Sequence, residues 1–192
     1  MAILIECARN EALLDSLLSQ LDQTDTPAAF AVDDWFALRR PGVLRRIDSA
    51  GHLIVNAGPT FQSANLFAGY PSWRRMIDET EDAIYGAIGR RPLLFAPPCS
   101  IKSPVMLREA AWVGHGLVVR ARGQHGWLPQ RIDLRRLTHV PAAGIVAVRA
   151  DRPRTLEQLP SLLEAWRSRG RWITRLDVLL NVPPYRLASL SD

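Results

Sequence analysis

The sequence has little cysteine, almost no lysine and no long apolar run. Its two cysteines, Cys7 and Cys99, are too few for a disulfide scaffold, and we expect both to be reduced thiols. No apolar run approaches the roughly 20 residues that a membrane-spanning helix needs. The first residues lack the basic, apolar and small-residue sections of a signal peptide. These absences favour a cytoplasmic protein with no membrane partner.

The positive charge is almost all arginine. Lys102 is the single lysine in a chain with a formal net charge of +5. A basic chain raises the question of nucleic acid. The arginines, however, alternate with acidic residues, as where Arg74 and Arg75 precede Asp78 and Glu79. The pattern favours a solvated arginine-rich surface over a nucleic-acid interface.

Length and periodicity predict one α/β domain over residues 1–192. The chain contains no repeat or low-complexity linker, and 47% of it is hydrophobic. Short apolar strands alternate with amphipathic helices, which is typical of a largely parallel sheet. We predict strands at Ile3–Cys7, Ala28–Val32, Leu53–Asn56, Leu93–Ala96, Gly116–Val119, Gly144–Arg149 and Trp172–Arg175.

Three helices stand out. One covers Pro71–Gly89, and a shorter one covers Gly42–Ser49 before the stop at Gly51. A third begins at Thr155, where Thr155 and Gln158 have the spacing of a capping box, and ends at Gly170. Their apolar stripes are expected to face the core.

Segments along nearly the whole chain have the order of motifs found in one family. Ala28–Val32 resembles an Ala-Thr-Phe-Phe-Val strand, Gly51–Asn56 resembles Gly-His-Glu-Ile-Gly-Asn, and Arg91–Pro98 resembles a strand ending in Phe-Arg-Pro-Pro-Tyr-Gly. The segments around Gly144–Val148 and Ile173–Leu176 continue the match. The chain therefore resembles the polysaccharide deacetylase (NodB-homology) family. The resemblance implies a distorted (β/α) barrel with its site at the carboxyl ends of the strands.

The same resemblance implies that the family's metal site is missing. Its members hold a divalent metal with one Asp and two His, and a neighbouring Asp acts as base. At the matching positions of the first strand this chain has Glu6 in place of the base and Cys7 in place of the metal-binding Asp. The family's His-x-x-x-His follows the residue equivalent to Asn56, but residues 57–66 contain no histidine. We expect no bound metal and no cofactor.

Three residues are candidates for remaining chemistry. Cys7 and Cys99 fall at strand ends, where a neighbouring arginine could lower the thiol pKa and make a nucleophile. The alternative is two small buried thiols that fill space. Glu6 is the carboxylate best placed for acid–base work, and the alternative is an ion-paired glutamate.

A further set is predicted to bind ligand. Asp33 could face the barrel mouth, although paired acids such as Asp33 and Asp34 are commonly turn and cap residues. Arg149 could hold an anion, or simply pair with Asp151. Trp127 could stack on a sugar or another ring. Within the family-like motifs, the set is completed by Asn56 and Pro98.

The sequence favours a non-hydrolytic pseudoenzyme whose barrel binds a small or carbohydrate-like ligand, or a protein partner. One alternative is a metal-independent enzyme that acts on a small cytoplasmic metabolite of secondary or cell-envelope metabolism. Another is a carbohydrate N-deacetylase with an unconventional site. Fold alone does not decide among them.

Overall fold

The structure is a computed structural model that describes residues 1–7, 11–60, 69–97, 103–123, 134–141 and 143–186. Its strands are β1 (Ala2–Glu6), β2 (Ala29–Val32), β3 (Leu53–Asn56), β4 (Leu94–Phe95), β5 (Leu117–Val118), β6 (Arg122–Gly123) and β7 (Ile145–Arg149). Its helices are α1 (Glu11–Gln23), α2 (Asp34–Arg39), α3 (Pro41–Ser49), α4 (Tyr70–Ile88), α5 (Pro104–Val113), α6 (Pro153–Arg167) and α7 (Leu176–Leu180), with a 3₁₀ helix at Leu134–His139.

The strands form one parallel sheet in the order β5-β4-β3-β2-β1-β7-β6. This order is the chain order read around a circle, as in a (β/α) barrel, with the circle left open between β5 and β6. Among the described residues, β5 and β6 are paired on one side each. The sheet is therefore an incomplete barrel.

Alternation along the strands gives the sheet two distinct faces. The outer face packs under the helices in a cluster of large side chains that includes Ile3, Ile5, Phe30, Val32, Ile54, Val146 and Val148. The inner face carries smaller residues, among them Ala2, Leu4, Ala29, Ala31, Leu53, Val55 and Ala147. Leu176 of α7 packs against this inner face. The small side chains leave space for α7 inside the barrel.

The helix predictions are confirmed except at one cap. Helix α4 ends at Gly89, whose left-handed φ of 69° closes the last turn. Helix α6 begins at Pro153 after Arg152, with no side-chain cap. The predicted capping box is thus wrong, because Gln158 Oε1 accepts a hydrogen bond from the Leu134 backbone N–H at 3.0 Å instead.

One predicted strand is also wrong. Residues 172–175 form no strand. Their backbone contacts Met1, just before β1, where the Met1 amino group donates to Trp172 O and Thr174 N donates to Met1 O. Arg175 then leads directly into α7.

None of the helices that the structure describes is both long and apolar enough to cross a bilayer.

Candidate functional site

The carboxyl ends of the strands bring three charged side chains to the inner rim of the barrel. Glu6 ends β1, Asp33 follows β2, and Arg149 ends β7. On each of these strands an alanine of the inner face, Ala2, Ala29 or Ala147, lies an even number of residues before the charged residue. Because side chains alternate between the two faces of a sheet, all three charged side chains point inward as well. The register pairs Glu6 with Arg149 directly. With Asp151, these residues form the mouth cluster.

Arg149 is held by two carboxylates. Its Nε and Nη2 donate to the two oxygens of Asp151 at 2.9 and 2.6 Å, and its Nη1 lies 3.6 Å from Glu6 Oε2. Burial acts to raise the pKa of Asp151, but the hydrogen bonds and positive charge of Arg149, with Arg152, outweigh it and lower the pKa. The sequence had left open whether Arg149 pairs with Asp151 and whether Glu6 is ion-paired. The structure has both pairs.

Asp33 and Asp34 are used to fix local structure. Asp33 Oδ1 accepts the Phe36 N–H at 2.9 Å and caps α2. The Thr60 hydroxyl shares its single proton between Asp33 Oδ2 and Asp34 Oδ1, which lie 3.0 and 2.6 Å from its oxygen. The loop after β3 is thereby fastened to the start of α2. Thr60 carried no sequence signal, because its partners are 26 and 27 residues away.

Cys7 differs from the expectation for a nucleophile. Its side chain packs against the outer cluster beneath the helices. Burial, with Asp33 and Glu6 nearby, raises the pKa of the Cys7 thiol well above its ordinary value. The nearby charges that matter are acidic, so the condition for a reactive thiol, a pKa lowered by a neighbouring arginine, is not met. The packed, space-filling alternative describes this thiol.

Asn56 faces the opposite side of the sheet from the mouth cluster. It is fully buried, and its Nδ2 donates to Ile77 O at 3.1 Å and lies 3.1 Å from His115 Nε2. Its Oδ1 accepts the Gly58 N–H at 2.7 Å. The side chain thus offers no free surface to a ligand. The remaining candidates lie outside the described residues, namely Cys99, Pro98 and Trp127.

The described part of the rim holds no evident cation site. Within the ranges that the structure covers, no three His, Cys, Asp or Glu side chains are grouped so that they could hold a metal ion. Ala57 occupies the position of the first histidine in the family pattern, and it packs in the inner cluster. Instead, the rim holds a guanidinium, that of Arg149, beside the carboxylate of Glu6.

An open, all-parallel barrel with a polar cluster at the carboxyl ends of its strands has its candidate site where (β/α) barrels place their active sites. The chain belongs to the polysaccharide deacetylase family, whose family model matches residues 8–118. A search among curated proteins gave no match.

Solved structures support the same fold. A family 4 carbohydrate esterase from Streptomyces lividans, in complex with acetate, is 20% identical, with a TM-score of 0.80 over 91% of this chain and 90% of that one. A family 4 acetyl xylan esterase from Clostridium thermocellum, in complex with cobalt, is 21% identical, with a TM-score of 0.81 over 96% and 93%. BA3943 of Bacillus anthracis, a CE4 family pseudoenzyme, is 19% identical, with a TM-score of 0.80 over 93% and 64%. The predicted distorted (β/α) barrel is confirmed.

Proposed function

We propose that this chain is a non-hydrolytic member of its family that keeps the barrel as a binding module for a small ligand or a partner protein. The observation that carries the proposal is the Arg149 guanidinium, which lies 3.6 Å from Glu6 at the inner rim. By pairing with Glu6 and with Asp151, Arg149 engages two of the carboxylates that a cation at the rim would need. Glu6, which stands at the position of the family's base, is therefore ion-paired with Arg149.

The residues next to the rim support the proposal. Ala57 has no donor atom to offer a metal where the family pattern has histidine. Cys7 could ligate a metal as a thiolate, but its raised pKa and outer-face packing oppose this. The similarity to BA3943 is consistent with this proposal, since that protein is a pseudoenzyme and a mutant of it has restored enzymatic activity.

Metal content tests the proposal most directly. Purified, untagged protein would be incubated with zinc, cobalt or nickel, desalted and measured by mass spectrometry. We expect well under about 0.1 metal ion per chain, and no release of acetate from N-acetyl chitooligosaccharides. Near-stoichiometric metal together with acetate release would overturn the proposal.

A restored variant provides the matched positive control. Cys7→Asp, Ala57→His and Phe61→His together reinstate the ligand types of the family pattern. We expect this triple variant to retain more metal per chain than the wild type, whereas Cys7→Ser alone retains none. If only the triple variant retains metal, the result would support our assignment of residues 7, 57 and 61 to the family's metal-ligand positions.

The alternative of a metal-independent enzyme is tested by Glu6→Gln. The assay uses protein free of metal. If the wild type turns over a small metabolite and Glu6→Gln does not, the result would favour that alternative over the binding module.

A further inference from the structure

A second concave site lies at the opposite end of the barrel from the mouth cluster. This amino-end pocket has a volume of about 830 Å³. Its walls come from the segments that lead into β2 and β3 and from the turn after α6, including Asp22, Asp25, His52, Arg171 and Trp172. Because the strands are parallel, the segments before them gather at one end. The pocket therefore shares no residue with the mouth cluster.

The wall of the amino-end pocket is held in place by the protein itself. Thr24 and Thr26 hydroxyls lie 2.9 Å apart, and Arg167 Nη2 hydrogen bonds to Thr26 Oγ1 at 3.0 Å and to the Thr24 carbonyl. Asp25 between them adopts a left-handed φ of 44°. Arg167 is thus engaged in shaping the wall, which leaves Arg171 as the second guanidinium of the pocket.

Arg171 is the feature that points to a ligand. Its Nη1 is buried, and no acceptor within the described residues lies at hydrogen-bonding distance. A buried guanidinium N–H without an acceptor is unfavourable, and a carboxylate or phosphate oxygen is the acceptor that suits it best. Arg171 also lines the pocket, so an anion held there would lie beside this guanidinium and compensate its charge.

Trp172 provides a flat apolar surface beside this arginine. Its side chain is 87% exposed, although its backbone is fixed by the Met1 amino group at 2.8 Å. An exposed indole on a fixed backbone is a preformed platform for a ring. Trp172 would gain buried area from any ring that lies on it.

The remaining groups of the wall select for hydroxyls. Asp22 and Asp25 line the pocket, and aspartate carboxylates accept hydrogen bonds from hydroxyl groups. His52 Nδ1 accepts the Ala28 N–H at 3.3 Å, so the neutral ring carries its proton on Nε2 and can act as a donor. Burial lowers the pKa of His52, which keeps the ring neutral. A ligand with several hydroxyls satisfies these groups, whereas a simple anion meets two acidic side chains.

We propose that the amino-end pocket binds a sugar ring that carries one anionic group, either a phosphate or a carboxylate. The anionic group pairs with Arg171, the ring lies on Trp172, and the ring hydroxyls donate to Asp22 and Asp25. This proposal does not depend on whether the mouth cluster binds a ligand or a metal.

Calorimetric titration of the intact protein tests this proposal, with glucose 6-phosphate and glucuronate as the two anionic sugars and with glucose and inorganic phosphate as comparators. We expect at least one anionic sugar to bind at least about tenfold more tightly than either comparator. Which of the two binds identifies the anionic group. Equal binding of glucose, equal binding of phosphate, or no binding of either anionic sugar would overturn the proposal.

Variants locate the binding. Arg171→Gln and Trp172→Ala should each weaken it at least about tenfold, whereas exposed residues elsewhere supply the matched controls Arg154→Gln and Trp112→Ala. The indole N–H resonance that disappears in Trp172→Ala identifies this side chain in an NMR spectrum of the wild type, and it should shift on titration. Binding that survives both pocket variants, or leaves this resonance unmoved, would overturn the proposal.

Discussion

At the scale of single residues, partners decide what each charged side chain at the rim can do. Arg149 binds Asp151 through two parallel hydrogen bonds, a geometry that suits guanidinium and carboxylate. Glu6 lies on the other side of the same guanidinium. The sequence predicted that these residues meet, because each stands at a strand end. It could not predict that Glu6 and Arg149 pair, because that contact depends on the register between β1 and β7.

The Cys7 thiol should react slowly with alkylating reagents. Its raised pKa leaves little thiolate at pH 8, and its packing limits access. We expect iodoacetamide to modify Cys7 at least about tenfold more slowly in the native protein than in urea-unfolded protein, since the thiolate is the nucleophile. Mass spectrometry of the separate peptides distinguishes Cys7 from Cys99. Native and unfolded rates that agree would contradict the packed, partly buried position of this thiol.

At the scale of elements, two glycines in regular structure should respond oppositely to alanine. Gly86 lies inside α4, and a Cβ added there meets nothing within 4 Å. Gly123 in β6 has a φ of 141°, and an added Cβ would lie 2.1 Å from the Ala147 carbonyl oxygen. Gly86→Ala should raise the free energy of unfolding by about 0.5–1 kcal/mol. Gly123→Ala should lower it by roughly 2 kcal/mol or more.

Urea unfolding of the two variants measures both effects, and Gly86→Ala serves as the control for adding a methyl group. If Gly123→Ala were as stable as the wild type, the close approach of β6 to β7 would be wrong.

The sequence predicted the strands that carry their own apolar signal and missed those that depend on neighbours. Val, Ile and Phe residues in β1, β2, β3 and β7 made these strands recognisable. Strand β6 is Arg122–Gly123, with no apolar pattern, and it exists because β7 pairs with it. Conversely, the predicted strand at Trp172–Arg175 has apolar residues, but it reaches only Met1 before β1, whose two edges already pair with β2 and β7.

At the scale of the whole molecule, a buried polar network joins distant parts of the chain. Glu81 of α4 is buried, with Arg91 at 2.8 Å and Arg186 of the C-terminal segment also in contact. His115, on the segment before β5, lies 3.5 Å from the other Glu81 oxygen and 3.1 Å from Asn56. The network therefore connects the sheet, α4 and the C-terminal segment.

This network should make the fold sensitive to acid. Burial lowers the pKa of His115 to about 4, against 6.5 for the ordinary side chain. The charge of Glu81 does not reverse this, because two arginines already pair with that carboxylate. Between pH 6.5 and 4 the unfolded chain holds a proton at His115 that the folded chain does not. The stability contributed by neutral His115 is thus complete above pH 6.5 and is lost as the pH falls towards 4.

The loss should be roughly 2–4 kcal/mol over that range. Urea unfolding of the wild type at pH 7 and at pH 4.5 measures it, and His115→Gln, which lacks the titrating group, should lose less stability between the same two pH values. His139→Gln is the matched control, because that side chain is exposed and should leave the wild-type pH dependence unchanged. A His115→Gln variant with the full wild-type loss would show that other groups cause the acid sensitivity. His52, also buried and with a lowered pKa, would then be the next residue to replace.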